Sequence, residues 1–177
     1  MLTAALLAAP AAAMPILGLP YVPPEQAAWW ARDHGATPRF VSLAPLYWEV
    51  SETLGVRPEV AYAQAAKETN FGRFTGVLNP SLHNPAGLKR TGGGPNHSVA
   101  AHMRFPSWRD GITAQVDHLA LYAGAPGFPR PDSPDPRPFP QLFGRAPSVE
   151  ALGGKWAPSR GYGRSLAQLV RSLVTLD

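Results

Sequence analysis

The chain has 177 residues, 45% of them hydrophobic and 16% charged, which is too apolar and too sparsely charged for a disordered polypeptide. That length buries a core for one domain, and the absence of cysteine excludes disulfide frameworks, thiolate nucleophiles and cysteine-based zinc sites. The net charge of +4 suits an anionic partner. The basic residues are scattered from Arg32 to Arg171, however, and a nucleic-acid module would gather them on one helix or stripe, so no nucleic-acid partner is expected.

Residues 1–13 hold an apolar run from Leu2 onward and then Ala11-Ala12-Ala13 before Met14. The segment reads as a signal peptide or an apolar tail; no Lys or Arg precedes the run, and it is far too short to span a bilayer as a helix. A secreted or wall-associated protein without stable membrane insertion is the expectation, with residues 14–177 as a single domain. Pro23-Pro24 before and Gly35 after predict a helix over 25–34. A second helix is expected over 42–54, with Ser42 as its N-cap, Pro45 in its first turn and Gly55 as its stop. Pro58 opens a third, alanine-rich helix that runs to about Asn70 and closes at Gly72.

The segment 73–106 is different in kind. Asn79-Pro80, Asn84-Pro85, Gly87 and Gly92-Gly93-Gly94-Pro95 make it a loop, or at most a short β-hairpin. Ser107 through Asp110 has a capping-box pattern, and Trp108, Ile112, Gln115, Leu119 and Tyr122 then recur at helical spacing up to Gly124. Proline dominates 125–140, which predicts an extended strap. A short helix over 148–152 and an amphipathic one over 163–176, with Leu166, Leu169, Val170 and Leu173 inward, complete a mainly α domain.

Glu68 is the carboxylate with the most informative position. It falls in the last turn of the third helix, between that helix and the glycine-rich loop, with Phe71 and Phe74 close by. The partial negative charge of a helix C-terminus and nearby aromatic surface both disfavour the anion and raise a carboxyl pKa. A carboxyl still protonated near neutral pH is what general acid catalysis of glycosidic cleavage requires. Gln64, one turn earlier on the same face, is placed to orient it. From position alone, a solvated helix-end glutamate is the commoner explanation.

No Asp or Glu lies between Glu68 and Asp110, so a second catalytic carboxylate would have to come from Asp110, Asp117, Asp132, Asp135 or Glu150. Asp110 reads more simply as a helix cap, Asp117 as helix surface and Asp135 as a turn former before Pro136. Substrate assistance by a sugar acetamido group is the remaining route, and a single-acid transglycosylase would need the same carboxylate count. His83, His97, His102 and His118 match no compact ligand spacing, and no metal or cofactor is implied. The five tryptophans are expected to be mostly core.

The run Gln64-Ala65-Ala66-Lys67-Glu68-Thr69-Asn70-Phe71-Gly72, followed by Asn84-Pro85-Ala86-Gly87-Leu88-Lys89, resembles the glucosaminidase family of bacterial peptidoglycan hydrolases, in the lysozyme-like superfamily. Phe105, Asp110-Gly111-Ile112, Asp117-His118-Leu119, Asp135-Pro136-Arg137, Lys155-Trp156-Ala157 and Tyr162-Gly163 continue the agreement in order. The resemblance implies a lysozyme-like fold and hydrolysis of the β-1,4 bond after N-acetylglucosamine in peptidoglycan glycan strands by a monomer. It further implies Glu68 as catalytic acid, Tyr162 as a catalytic residue bordering the cleft, and Gln64, Phe71, Asn84, Gly87 and Lys89 as substrate-binding positions. Asn70 replaces the glycine usual in the family, and asparagine tolerates the left-handed backbone such a turn needs. A lytic transglycosylase, a muramidase, and a silent wall-binding or phage structural module are the alternatives.

Overall fold

A computed structural model describes residues 12–175, so residues 1–11 of the expected signal or tail lie outside the described part. Among the described residues six α-helices form the scaffold: α1 (Pro24–Asp33), α2 (Pro38–Ser42), α3 (Ala44–Thr53), α4 (Pro58–Thr69), α5 (Trp108–Ala123) and α6 (Tyr162–Val174). No strand runs between them among the described residues; pairing is confined to isolated bridges. This is a mainly helical, lysozyme-like domain.

Proline sits in the first turn of each of α1 to α4, where its missing N–H leaves no helical hydrogen bond unmade. The expected helix over 42–54 is in fact two. Thr37 caps α2 through its side chain, Ser42 is the last residue of α2 rather than an N-cap, and α3 starts at Ala44. Ser107 caps α5 by accepting from the Asp110 N–H, and the Asp110 carboxylate accepts from the Ser107 hydroxyl at 2.6 Å.

Helix α4 packs against α1, α3, α5 and α6. Its alanines 61, 63, 65 and 66 are wholly buried and let those neighbours approach closely. Tyr62, also wholly buried, gathers Phe40, Tyr47, Trp48 and Trp30 at ring separations from 4.6 to 6.2 Å. Trp30 and Trp48 are core, as expected, but Trp29 is 67% exposed on the outer face of α1. The segment before α1 is held by Glu59, whose Oε1 accepts from the Tyr21 and Val22 amides at 2.6 and 2.9 Å.

The loop after α4 packs Ala86, Leu88 and Phe105 against Ala114 of α5 in a second small core. Its two limbs meet at one antiparallel bridge between Lys89 and His102, less than a hairpin of named strands. The proline-rich strap over 125–140 lies along α5, and side chains hold it there because proline offers no amide donor. Asp117 is a correction to the sequence reading: it is 2% exposed, not helix surface, and it accepts from Arg130 at 2.9 and 2.8 Å and from Ser133 at 2.5 Å. Asp135 does form the expected turn, accepting from the Arg137 amide, and it also takes the His118 imidazole at 2.7 Å.

Candidate active site

The last turn of α4 delivers Glu68 to a cleft of about 530 Å³. The loop contributes Phe74, Val77, Leu78, Gly87, Leu88, Lys89 and Asn96 to its lining, while Arg137 and Phe139 come from the strap and Leu142, Lys155 and Trp156 from the residues between the strap and α6. His102, His118 and Tyr122 complete the polar lining. Glu68 is the one carboxylate among the described lining residues, which also include Lys89, Arg137 and Lys155.

The turn that ends α4 is built from left-handed residues. Asn70 has φ 49°, Phe71 φ 56° and Gly72 φ 77°, with Phe74 at φ 52° beyond them. Asparagine accepts this conformation readily, whereas two phenylalanines in it are unusual and carry local strain. Hydrogen bonds hold it: the Phe71 amide donates to Ala66 at 2.7 Å, the Phe74 amide to Thr69 at 2.8 Å, and the Gly72 amide to the Thr69 hydroxyl at 2.9 Å. The result separates the two aromatics. Phe74 lines the cleft with Glu68, while Phe71 turns back onto Trp30 and Phe40 in the core and stacks on the exposed His34 ring.

Glu68 is held from behind by Tyr162, at the start of α6, whose hydroxyl donates to its Oε1 at 2.6 Å. That hydroxyl in turn accepts from Gln64 Nε2 at 3.1 Å. Gln64 Oε1 accepts from Gln115 Nε2 at 2.9 Å, and Gln115 Oε1 accepts from the Tyr47 hydroxyl at 2.8 Å. The chain Tyr47, Gln115, Gln64, Tyr162, Glu68 therefore donates in one direction across α3, α5, α4 and α6, ending on the carboxyl. Tyr47, Gln64 and Gln115 are wholly buried and Tyr162 is 7% exposed, so the chain is shielded from water. Satisfied polar networks of this kind fix side-chain geometry strongly.

Burial pushes the Glu68 carboxyl above its ordinary 4.5, against the weaker opposing effects of the Tyr162 hydrogen bond and the Lys67 charge. Burial also raises the Tyr162 phenol well above 10, assisted by repulsion from the Glu68 carboxylate, so it remains a donor at neutral pH.

The other residues singled out from sequence fall in three places. Gly87, with φ 66°, and Lys89 line the cleft with Glu68. Asn84 is wholly buried beneath the loop: its Nδ2 donates to Leu88 and Met103 carbonyls at 2.8 and 2.9 Å, and its Oδ1 accepts from the Leu88 amide at 3.0 Å. Gln64 has no exposed surface and Phe71 faces the core, so neither presents a side chain to the cleft. Gln64 meets Glu68 only through Tyr162. His83 lies in the loop with Nδ1 at 3.0 Å from the Phe105 carbonyl, and among the described residues no three His, Asp or Glu side chains converge as a metal site.

Two contacts of the site were not assigned from the sequence. Gln115 was visible only as a polar residue on an apolar helical face, a recognised sign of a buried hydrogen bond. The contact between His118 and Asp135 joins α5 to the strap across 17 residues, and no local pattern encodes it.

A mainly helical scaffold that sets one shielded carboxyl at a helix end, in an open cleft flanked by cations, defines the lysozyme-like class. Within that class the chain belongs to the glucosaminidase family: residues 44–174 match the family model described as mannosyl-glycoprotein endo-beta-N-acetylglucosaminidase. An uncharacterized protein of Borreliella burgdorferi is 29% identical over 133 residues, which cover 75% of this chain and 62% of that one. The match thus spans less than two thirds of that relative's length. No solved structure matches the chain.

Proposed function

We propose that this protein is a peptidoglycan hydrolase that cleaves the β-1,4 bond after N-acetylglucosamine, with Glu68 as general acid. The observation that carries the reading is Glu68 itself, a carboxyl raised by burial and aimed into a cleft by a hydroxyl that is itself anchored in the core. In the reaction the Glu68 proton passes to the leaving glycosidic oxygen, the C–O bond breaks, and positive charge develops at the anomeric carbon. The sugar's 2-acetamido carbonyl stabilises that centre from the opposite face, in keeping with the single carboxylate in the lining. Tyr162 keeps Glu68 in place and, after proton loss, donates to the carboxylate it leaves behind. Lys89, Arg137 and Lys155 favour the anionic stems and wall polymers of the substrate, which lies outside the cytoplasmic membrane.

Bond choice is tested by digesting purified peptidoglycan, reducing the products with borohydride and analysing the amino sugars. Glucosaminitol is the expected product. Muramitol would make the protein a muramidase, and anhydro-muramic acid would make it a lytic transglycosylase.

A further inference from the structure

The attacking water must give up a proton; Glu68 can take it only after giving away its own, and the cleft holds no second carboxylate among the described residues. It does hold His118. We propose that His118, oriented by Asp135, is the general base that activates water in this cleft. The inference rests on the hydrolytic reading above.

His118 is 6% exposed and lies in the middle of α5. Its Nδ1 is 2.7 Å from Asp135 Oδ2, and Asp135 is fixed in turn by the Arg137 amide on its other oxygen, at 2.9 Å, and by its own amide on Ser133 Oγ, at 3.0 Å. Donation of Nδ1–H to the carboxylate leaves the Nε2 lone pair as the free acceptor. Nε2 has no protein partner among the described residues and is not sealed from solvent, while the residue lines the cleft. Tyr122 and Trp156 meet the ring edge-on at 5.1 and 5.2 Å and fix its plane.

Helices α4 and α5 touch at Gln64 and Gln115, 2.9 Å apart. Glu68 and His118 line the same cleft. A histidine whose inner nitrogen is tied to a buried carboxylate and whose outer nitrogen is free is the arrangement that stabilises an imidazolium formed by proton uptake.

The step balances without a further reactant. Water oxygen bonds to the anomeric carbon as the bond from that carbon to the leaving group, or to the acetamido oxygen, breaks. One water proton goes to His118 Nε2, and exchange with solvent then returns His118 to neutral and Glu68 to its acid form.

The test uses the full chain and soluble peptidoglycan fragments, with His118→Ala, His118→Gln and Asp135→Asn, each checked for folding by circular dichroism. His118→Ala should lose about a hundredfold or more in hydrolysis. Sodium azide, a nucleophile with no proton to lose, should restore turnover with a glycosyl azide in place of the reducing sugar. His118→Gln keeps a hydrogen-bonding amide but no base, and should be similarly slow and similarly accelerated by azide, which carries the test if the alanine variant does not fold. Asp135→Asn should also be impaired, because the amide no longer favours the imidazolium. Wild-type turnover in His118→Gln, or losses in both His118 variants that azide does not recover, would overturn the base assignment. The two readings fail separately: an anhydro product from the wild type defeats the proposed function, whereas hydrolysis unimpaired in the His118 variants defeats this inference alone.

Discussion

Burial raises the Glu68 carboxyl above its ordinary value, and that has consequences for both activity and stability. Because its carboxyl titrates above 4.5 in the folded chain, the folded state binds the proton more tightly than the unfolded chain does. Stability at this position is full below about pH 4.5 and is lost as pH rises through the raised value. Glu68→Gln should therefore melt higher than the wild type at neutral pH, with the difference vanishing in acid; calorimetry across that range measures it. With Glu68 as the proposed general acid, the same titration should set the alkaline limb of the rate, since that acid must be protonated. Tyr162→Phe removes a donor that stabilises the carboxylate, so the alkaline limb should move to higher pH while the maximal rate falls. It also leaves Gln64 Nε2 without its acceptor in a wholly buried place, which should cost about 1–3 kcal/mol in denaturant unfolding. A limb that moves to lower pH would contradict the role given to that hydroxyl. Glu68 was legible in the sequence because helix end, loop and family pattern coincide there. The route from Gln64 to it was not, because it passes through Tyr162, which is 98 residues away.

At the level of elements, the turn after α4 and the start of α6 decide whether acid and tyrosine meet. Gly163 opens α6 beside Tyr162, and a Cβ there would stand 2.2 Å from the Glu150 carbonyl oxygen and 2.6 Å from that of Val149. Both are backbone atoms of the turn that α6 packs on, so the helix itself must move. Gly163→Ala should destabilise the fold by about 1–3 kcal/mol and reduce activity more than its melting temperature alone explains, because it drags Tyr162 from Glu68. A variant with wild-type melting and turnover would show that this close approach is unimportant. Helices α1, α3 and α4 were readable from prolines at their starts and glycines or asparagine past their ends. The short α2 was not, because five residues carry too little periodicity, and Ser42 resembles a cap while occupying the end of the preceding helix. The clamp of the strap onto α5 by Asp117 and Asp135 was equally hidden: a helical aspartate looks the same in sequence whether it meets water or an arginine 13 residues on.

Across the whole molecule, the match to the family starts at residue 44, yet the residues before it are part of the core. Ile16 and Trp30 are wholly buried, Trp30 Nε1 donates to Ser172 at 3.0 Å, and Gln26 Nε2 donates to the Leu173 and Val174 carbonyls at the end of α6. Trp30→Ala should cost about 3–5 kcal/mol, and a chain started at residue 44 should not unfold cooperatively on heating. A sharp melting transition in that truncated chain would show that the helices from α3 onward suffice. No helix among the described residues is long and apolar enough to cross a membrane.

The most direct test of the account is wall clearance by Glu68→Gln. Glutamine preserves the shape of the side chain and an oxygen for Tyr162 to donate to, but has no proton to give the leaving group. The account predicts a folded protein, at least as stable as the wild type at neutral pH, whose rate of turbidity loss on purified peptidoglycan is reduced about a hundredfold to ten-thousandfold. A folded Glu68→Gln protein that clears walls at the wild-type rate would contradict it.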